Sequence, residues 1–291
     1  MVINKHGSFY LRSGWGTKII NAVNEDDLIF SPSNEQIAID NIGLGRIMIK
    51  ALRYWADVVG LTTEVKSQDG IKKVPTELFK LIEKKDPYFQ RLGTLLLLHR
   101  NMALNIDDAT AWYWLFNEWN GISISKEEFA DGLHSYLAVN GMKIKKDAVD
   151  KEFNCVKNTY IGEKTFDIKT IMDEDTYPFL APLRVLTVDE TKRIVKTHMT
   201  SREIPIELLI YSIAKDNETD SASGKQVSID YLMEEKKQIG KYYNIRYSDL
   251  IDMLLEAENK GYIGLNNNFG NRYLEFNGCN YNALLKKYFK G

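Results

Sequence analysis

Three basic residues at helical spacing, Arg46, Lys50 and Arg53, are the side chains of this sequence best suited to binding an anion. A helix turns by about 100° per residue, so the three fall on one side of it, within a sector of roughly 60°. Cations placed in this way bind the phosphates of a nucleic acid. The same spacing is also typical of a solvent-exposed helix face, on which Arg53 and Asp57 would form an ordinary i,i+4 ion pair.

A second group of cations follows in residues 61–76, which alternate in polarity around a predicted turn at Asp69-Gly70. This pattern indicates a two-stranded hairpin. From Arg46 to Lys73 there are six basic and three acidic residues, a local excess of three positive charges. Two further cations lie beside the first predicted helix. The candidate DNA-binding residues are Arg12, Lys18, Arg46, Lys50, Arg53, Lys66, Lys72 and Lys73.

Acids, bases and metal ligands for catalysis are concentrated in the middle of the chain. Asp131 and His134 lie three residues apart on one predicted helix face, and carboxylates and imidazoles bind Mg²⁺, Mn²⁺ or a transition metal. The acidic cluster Asp173–Asp175 is either a metal-binding loop or part of a connector. The spacing of these acidic and histidine residues matches no nuclease motif. The alternative interpretation is that they cap helices and form salt bridges. The weak catalytic candidates are His99, Glu118, Asp131 and His134.

Several classes of site are excluded by what the sequence lacks. Gly43 and Gly45 are followed by no lysine at the spacing of a nucleotide-binding loop. Cys155 and Cys279 are too few for a disulfide framework and wrongly spaced for zinc or an iron–sulfur cluster, and no haem site is evident. No segment reaches the roughly 20 apolar residues of a membrane span. The net charge is −2. We therefore predict a cytoplasmic protein with no membrane contact, whose nucleic-acid surface is a local patch.

The basic residues need a helix and a hairpin to position them. Residues 43–61 predict one amphipathic helix that ends at Gly60, because a residue without a Cβ atom adopts the left-handed conformation easily. Glu35–Asn41 predicts a preceding helix, with Ser33 and Gln36 as its capping box. Two helices followed by a hairpin predict a winged helix-turn-helix, whose second helix reads DNA.

The remaining segments predict a mainly α (α+β) fold. Trp112–Trp119 is either an aromatic platform for stacked bases or, as we favour, the centre of a helical bundle. Ser125 and Glu128 form a capping box, and Thr187 with Glu190 indicates a helix start. The predicted domains are a winged helix-turn-helix domain at 1–75, a helical domain at 76–161, a connector with helices at 162–226 and a winged-helix-like domain at 227–291.

Five separated motifs follow one another along the chain: Phe9–Lys18, Leu44–Trp55, Asp86–Phe89, the leucine-rich run that ends at His99, and Trp112–Trp119. In this order they resemble one bacterial family, long carried as a domain of unknown function. Its members are encoded beside phosphoadenosine-phosphosulfate-reductase-like proteins in DNA phosphorothioation and anti-phage operons. The chain is similar to the SspB-like component of these systems.

The resemblance implies a DNA nickase that acts with a cysteine desulfurase, an ATPase and an ATP pyrophosphatase. Two hypotheses follow. The first is a metal-dependent enzyme that opens one strand of double-stranded DNA for sulfur insertion, with Mg²⁺ or Mn²⁺ polarising the phosphate. The second is a winged-helix adaptor without an active site, which recruits partner proteins to DNA or regulates its own operon.

Overall fold

The computed structural model describes residues 1–162, 176–218, 223–268, 271–278 and 280–290. Helices predominate in these ranges, and the strands are short and antiparallel, so the predicted mainly α, α+β class is confirmed. Within the same ranges, no helix combines the length and the apolar character that crossing a membrane requires. The acidic cluster Asp173–Asp175 and Cys279 lie outside the described residues.

The chain forms two compact units. Unit 1 consists of Met1–Leu115 and Gly121–Lys196, and unit 2 consists of Phe116–Asn120 and Thr197–Gly291. The predicted domains 1–75 and 76–161 thus share unit 1, apart from the short segment that belongs to unit 2. The division into four domains remains a prediction.

Unit 1 begins with three helices and a hairpin, in the order that the sequence predicts. Gly60 ends the third helix with φ +77°, and the Leu61 amide donates back to the Ala56 carbonyl, as at many helix C-termini. The elements are α1 at Trp15–Glu25, α2 at Glu35–Ile42, α3 at Arg46–Val58, β1 at Thr62–Ser67 and β2 at Gly70–Pro75.

The predicted capping box at the start of α2 is wrong. The Ser33 hydroxyl contacts the side chains of Ser31 and Asn34, and the Gln36 amide donates to Asp40. A 3₁₀ turn at Pro32–Asn34 precedes α2 and delays its start to Glu35, so Ser33 lies inside the turn. Glu35 consequently stands in the first turn of α2.

The hairpin turn lies one residue earlier than predicted. Ser67 pairs with Gly70 across the strands, so Gln68 and Asp69 form the two-residue turn. Gly70 has φ +135°, and a Cβ atom there would overlap the Ser31 hydroxyl. The glycine is therefore required at the first position of β2.

Helix α3 is anchored by one aromatic side chain. Trp55 is fully buried, and its Nε1 donates to the Phe9 carbonyl at 2.9 Å. The Trp112 ring packs edge-on against it with 5.4 Å between ring centroids. This packing confirms the core interpretation of Trp112, and it fixes which side of α3 faces solvent.

The other elements described in unit 1 are helices and the strands of one small sheet. The predicted Ser125–Glu128 capping box is confirmed at the start of the helix Lys126–Val139. Thr187 lies in a strand and starts no helix, because it pairs with Val195. The antiparallel strand order is β3-β5-β4. The elements are α4 at Glu77–Lys85, α5 at Leu92–Leu104, α6 at Thr110–Tyr113, β3 at Ser123–Ile124, α7 at Lys126–Val139, α8 at Lys146–Tyr160, β4 at Leu186–Val188 and β5 at Ile194–Lys196. A π-helical turn at Trp114–Glu118 follows α6 and continues into the segment of unit 2.

Unit 2 combines short helices with a three-stranded antiparallel sheet of order β6-β8-β7. Its segment Phe116–Asn120 contributes Asn117, whose side chain accepts the Lys237 amide at 2.7 Å. The elements are α9 at Ile206–Asp216, β6 at Ser223–Ser228, α10 at Ile229–Glu234, α11 at Ile239–Tyr242, α12 at Tyr247–Asn259, β7 at Ile263–Asn268, β8 at Asn271–Asn277 and α13 at Tyr281–Tyr288.

Candidate nucleic-acid interface

The basic face of α3, defined as Arg46, Lys50 and Arg53, lies on the side of the helix opposite its buried residues. Arg46 and Lys50 are 65% and 62% exposed, whereas Arg53 is only 26% exposed. The apolar side carries Leu52 and Trp55, both fully buried. The helix therefore presents its N-terminal cations to solvent more fully than Arg53.

Glu35 of α2 pairs with both exposed cations of the basic face. One carboxylate oxygen lies 2.7 Å from Arg46 Nε, and the other lies 3.2 Å from Lys50 Nζ. A carboxylate in the first turn of a helix is also stabilised by the helix dipole. The exposed end of the basic face therefore already holds an anion supplied by the protein.

Arg53 belongs to a different cluster, which is centred on the buried Lys73. Lys73 is fully buried, and its ammonium lies 2.5 Å from Asp57 and 2.9 Å from Glu64. Glu64 also accepts a hydrogen bond from Arg53 at 2.6 Å. Lys73 thus ties the hairpin to α3. Because the Lys73 side chain is fully buried, its position does not support the predicted contact with DNA.

The pKa values in this cluster follow from its contacts. The hydrogen bond from Arg53, helped by Lys73, lowers the pKa of Glu64 to about 2. Burial raises the pKa of Asp57, although Lys73 and Thr62 oppose this change. The bond to Glu64 raises the pKa of Arg53. The cluster therefore favours a charged Glu64 and opposes a charged Asp57.

We expect Glu64 to stabilise the fold most at neutral pH. Because its folded pKa lies below the ordinary value, its contribution is fully present above about pH 5 and disappears as the pH falls towards 2. We expect Glu64→Gln to lower the free energy of unfolding by about 1–2 kcal/mol at pH 7, allowing for solvent screening, and by much less at pH 3. Urea denaturation at pH 7, 5 and 3 measures this difference.

The matched control is Glu77→Gln, at an exposed glutamate that pairs with Lys80 on α4. Its effect should stay within about 0.5 kcal/mol at each pH. Equal effects of the two substitutions at pH 7 would contradict the role given to Glu64.

The two remaining hairpin cations point to opposite faces of the hairpin. Side chains alternate along a strand, so Lys66 shares the face of Glu64, while Lys72 lies on the other face. Lys66 is exposed, and Lys72 pairs with Asp27 at 3.1 Å. A single flat DNA surface would contact Lys66 more readily than Lys72.

The two N-terminal cations both have structural contacts. The Arg12 guanidinium lies over the Tyr10 and Trp15 rings, 5.0 and 5.8 Å from their centroids. Lys18 donates to the Ile42 carbonyl at 3.2 Å, at the C-terminus of α2. These contacts favour a structural role for both residues, in which they hold the N-terminal segment and α2 in place, over contact with phosphate.

Charge in the interface is more balanced than the sequence alone indicates. Asp27 and Glu35 join the three acidic residues counted above, so five carboxylates accompany six cations. Long-range attraction of DNA is correspondingly weak, and binding would depend on short-range contacts.

The sequence pattern did not reveal the pairing of Glu35 with the basic face, because Glu35 belongs to a different helix. Glu64 could have been found, since it lies directly opposite Lys73 in the hairpin register.

A cleft of about 630 Å³ adjoins the basic face. Its lining includes Lys50 and Arg53, together with Lys5 and Asp108, which form an ion pair of 2.8 Å. Tyr54 lies in its wall and donates to the Asp108 carbonyl. The cleft therefore contains charges of both signs, most of them paired.

Each of the four weak catalytic candidates contacts a partner of its own. His99 is buried in α5, where its Nδ1 lies 2.7 Å from the Tyr160 hydroxyl. Asp131 and His134 share α7, but Asp131 pairs with Lys146, and His134 contacts the Ile144 carbonyl. Glu118 belongs to unit 2 and pairs with Lys236.

The described residues do not offer a ready site for Mg²⁺ or Mn²⁺. Across residues 1–162, 176–218, 223–268, 271–278 and 280–290, no three His, Cys, Asp or Glu side chains converge closely enough to hold a metal ion. Asp173–Asp175 lies outside these ranges.

Comparison with known protein families shows to which family this chain belongs. A family model described as "Protein of unknown function (DUF4007)" matches residues 3–289. The chain belongs to this family. The resemblance found in the sequence is thereby confirmed. A search of curated proteins gives no match.

Two solved structures share the fold of this DUF4007 protein. The "Magnesium ion-bound SspB crystal structure" superposes with a TM-score of 0.85 at 20% identity, covering 99% of this chain and 88% of that chain. The "SspB crystal structure" gives a TM-score of 0.84 at 19% identity, with the same coverage. At this level of identity, the comparison establishes a common fold alone.

Proposed function

We propose that this DUF4007 protein binds double-stranded DNA through the basic face of α3. The observation that carries the proposal is the exposure of Arg46 and Lys50 on the second helix of a helix-turn-helix that is followed by a hairpin. This is the element order of a winged helix, in which the second helix enters the major groove. Lys66 extends the same surface from the hairpin.

Replacing Arg46 and Lys50 together by alanine should weaken DNA binding by about tenfold or more at low salt. Each lost phosphate contact removes about one unit from the slope of log K against log salt, so the slope should fall by about two. Fluorescence anisotropy of a labelled 20-bp duplex between 50 and 250 mM salt measures both quantities.

The control is Lys80→Ala with Lys146→Ala, which removes two exposed and paired cations at other places in unit 1. It changes the net charge equally and should leave the slope nearly unchanged. Equal weakening by both double variants would show that only net charge matters, and the basic face would lose its role.

The proposed setting is a bacterial DNA phosphorothioation and anti-phage defence system. The family resemblance and the fold shared with the SspB structures support this setting. The partners proposed from the resemblance are a cysteine desulfurase, an ATPase and an ATP pyrophosphatase. In this setting the protein is a DNA-binding adaptor. The test is whether these partner proteins co-purify with it on a DNA duplex. We expect the Arg46→Ala/Lys50→Ala variant to lose this co-purification.

A metal-dependent nickase is the second candidate function. The observation that favours it is the similarity to a magnesium ion-bound SspB structure. Conversion of supercoiled plasmid to open circle, with Mg²⁺, Mn²⁺ or chelator, separates the two candidates. Metal-dependent nicking that is lost in variants of Asp173–Asp175 or Glu118 would establish the enzyme, whereas DNA binding without nicking, with and without the partner proteins, would establish the adaptor.

A further inference from the structure

Glu35 pairs with both exposed cations of the basic face. Its two carboxylate oxygens contact Arg46 and Lys50 separately, and it is itself only 26% exposed. A phosphate presents oxygens to Arg and Lys in the same charge-assisted way. A phosphate that used the same donors would displace Glu35, and one that used the remaining donors would lie beside a carboxylate of like charge.

The pairs made by Glu35 are weak enough to exchange. Both cations are more than half exposed, and exposed ion pairs contribute little to stability because water screens them. Glu64 differs, since one of its partners is the fully buried Lys73. Loss of Glu64 would disturb the attachment of the hairpin to α3, whereas release of Glu35 would disturb only the surface.

We propose that Glu35 is an intramolecular competitor of DNA, which Arg46 and Lys50 release when they bind phosphate. The inference rests on the proposed DNA-binding function and adds a residue that sets its affinity. In the free protein Glu35 offsets one of the two positive charges that Arg46 and Lys50 carry. In the complex the freed carboxylate faces solvent and takes up a cation there, so fewer ions are released in total.

Glu35→Gln should tighten binding of a 20-bp duplex by about 3- to 10-fold at 150 mM salt, because the competing charge is gone. The slope of log K against log salt should steepen by up to about one unit, since no cation is taken up by the freed side chain. The anisotropy titration used for the basic face measures both changes.

Glu77→Gln is the matched control. Glu77 is the first residue of α4, as Glu35 is the first residue of α2, and it also pairs with a lysine in its own unit. This control removes the same charge at the same helix position, and its effect on affinity should stay below about 1.5-fold. Equal effects of the two substitutions would overturn the inference.

A double-mutant cycle separates competition from a general effect of charge. In the Arg46→Ala/Lys50→Ala background, Glu35→Gln should no longer tighten binding, because the cations it competes for are absent. Tightening that persists in this background overturns the inference and leaves the proposed function standing. If Arg46→Ala/Lys50→Ala binds as tightly as the natural protein, the proposed function itself fails, and the inference fails with it. Circular dichroism and the melting temperature of each variant confirm that all are folded.

Discussion

Replacing Trp55 by alanine should lower the free energy of unfolding of unit 1 by about 4–5 kcal/mol, the largest single effect that we expect in α3. The indole is fully buried, donates to the Phe9 carbonyl and packs against Trp112. Its removal leaves a cavity and a carbonyl without its partner. Urea denaturation gives the total loss, and hydrogen exchange of the α3 amides assigns it to unit 1.

The control for Trp55 is Ile47→Ala on the same helix, at a side chain that is 58% exposed. It should cost less than about 1 kcal/mol. Trp55→Phe should fall between the two, because it keeps an aromatic ring and loses the hydrogen bond. A loss below about 1.5 kcal/mol for Trp55→Ala would mean that Trp55 does not anchor α3.

Lys73→Met should cost about 2–4 kcal/mol at pH 7, the second largest effect. Methionine fills similar space but leaves Asp57 and Glu64 without the buried ammonium that lies between them. Removing one partner of a buried ion pair lowers stability because the other charge stays desolvated. Here Asp57 and Glu64 are each about one-third exposed, so water reduces this loss. Urea denaturation of the full chain measures it.

The neighbouring Lys72 provides the control for Lys73. Lys72→Met removes a partly exposed cation from the opposite face of the hairpin and should cost less than about 1 kcal/mol. Adding Asp57→Asn to Lys73→Met should recover part of the loss, since the unpaired charge is then removed. Equal costs for Lys72→Met and Lys73→Met would refute the central role of Lys73.

Those parts of the fold that depend on local pattern could be predicted from the sequence. The apolar spacing of α3, the left-handed Gly60 and the Ser125–Glu128 capping box each depend on residues within a few positions. The start of α2 shows the limit of this approach. Ser33 has the right spacing for a cap, but the turn at Pro32–Asn34 places it outside the helix geometry.

Features that depend on distant residues could not be predicted in the same way. Thr187 pairs with Val195 in a strand of three residues, too short to carry a clear alternating pattern. Lys73 is buried because α3 and the hairpin bring carboxylates to it, and no sequence pattern distinguishes it from the partly exposed Lys72. The candidate DNA-binding set therefore combined exposed cations with structural ones.

The segment Phe116–Asn120 interleaves the two units along the chain. Unit 2 takes these residues from between two stretches of unit 1, and Asn117 and Glu118 contact Lys237 and Lys236 there. Neither unit is therefore a continuous piece of the gene, and no single cut separates them intact. During synthesis this segment leaves the ribosome long before the rest of unit 2, so unit 2 can fold completely only after residues 197–291 have been made. For the same reason, a single recombination event cannot exchange either unit as an intact module.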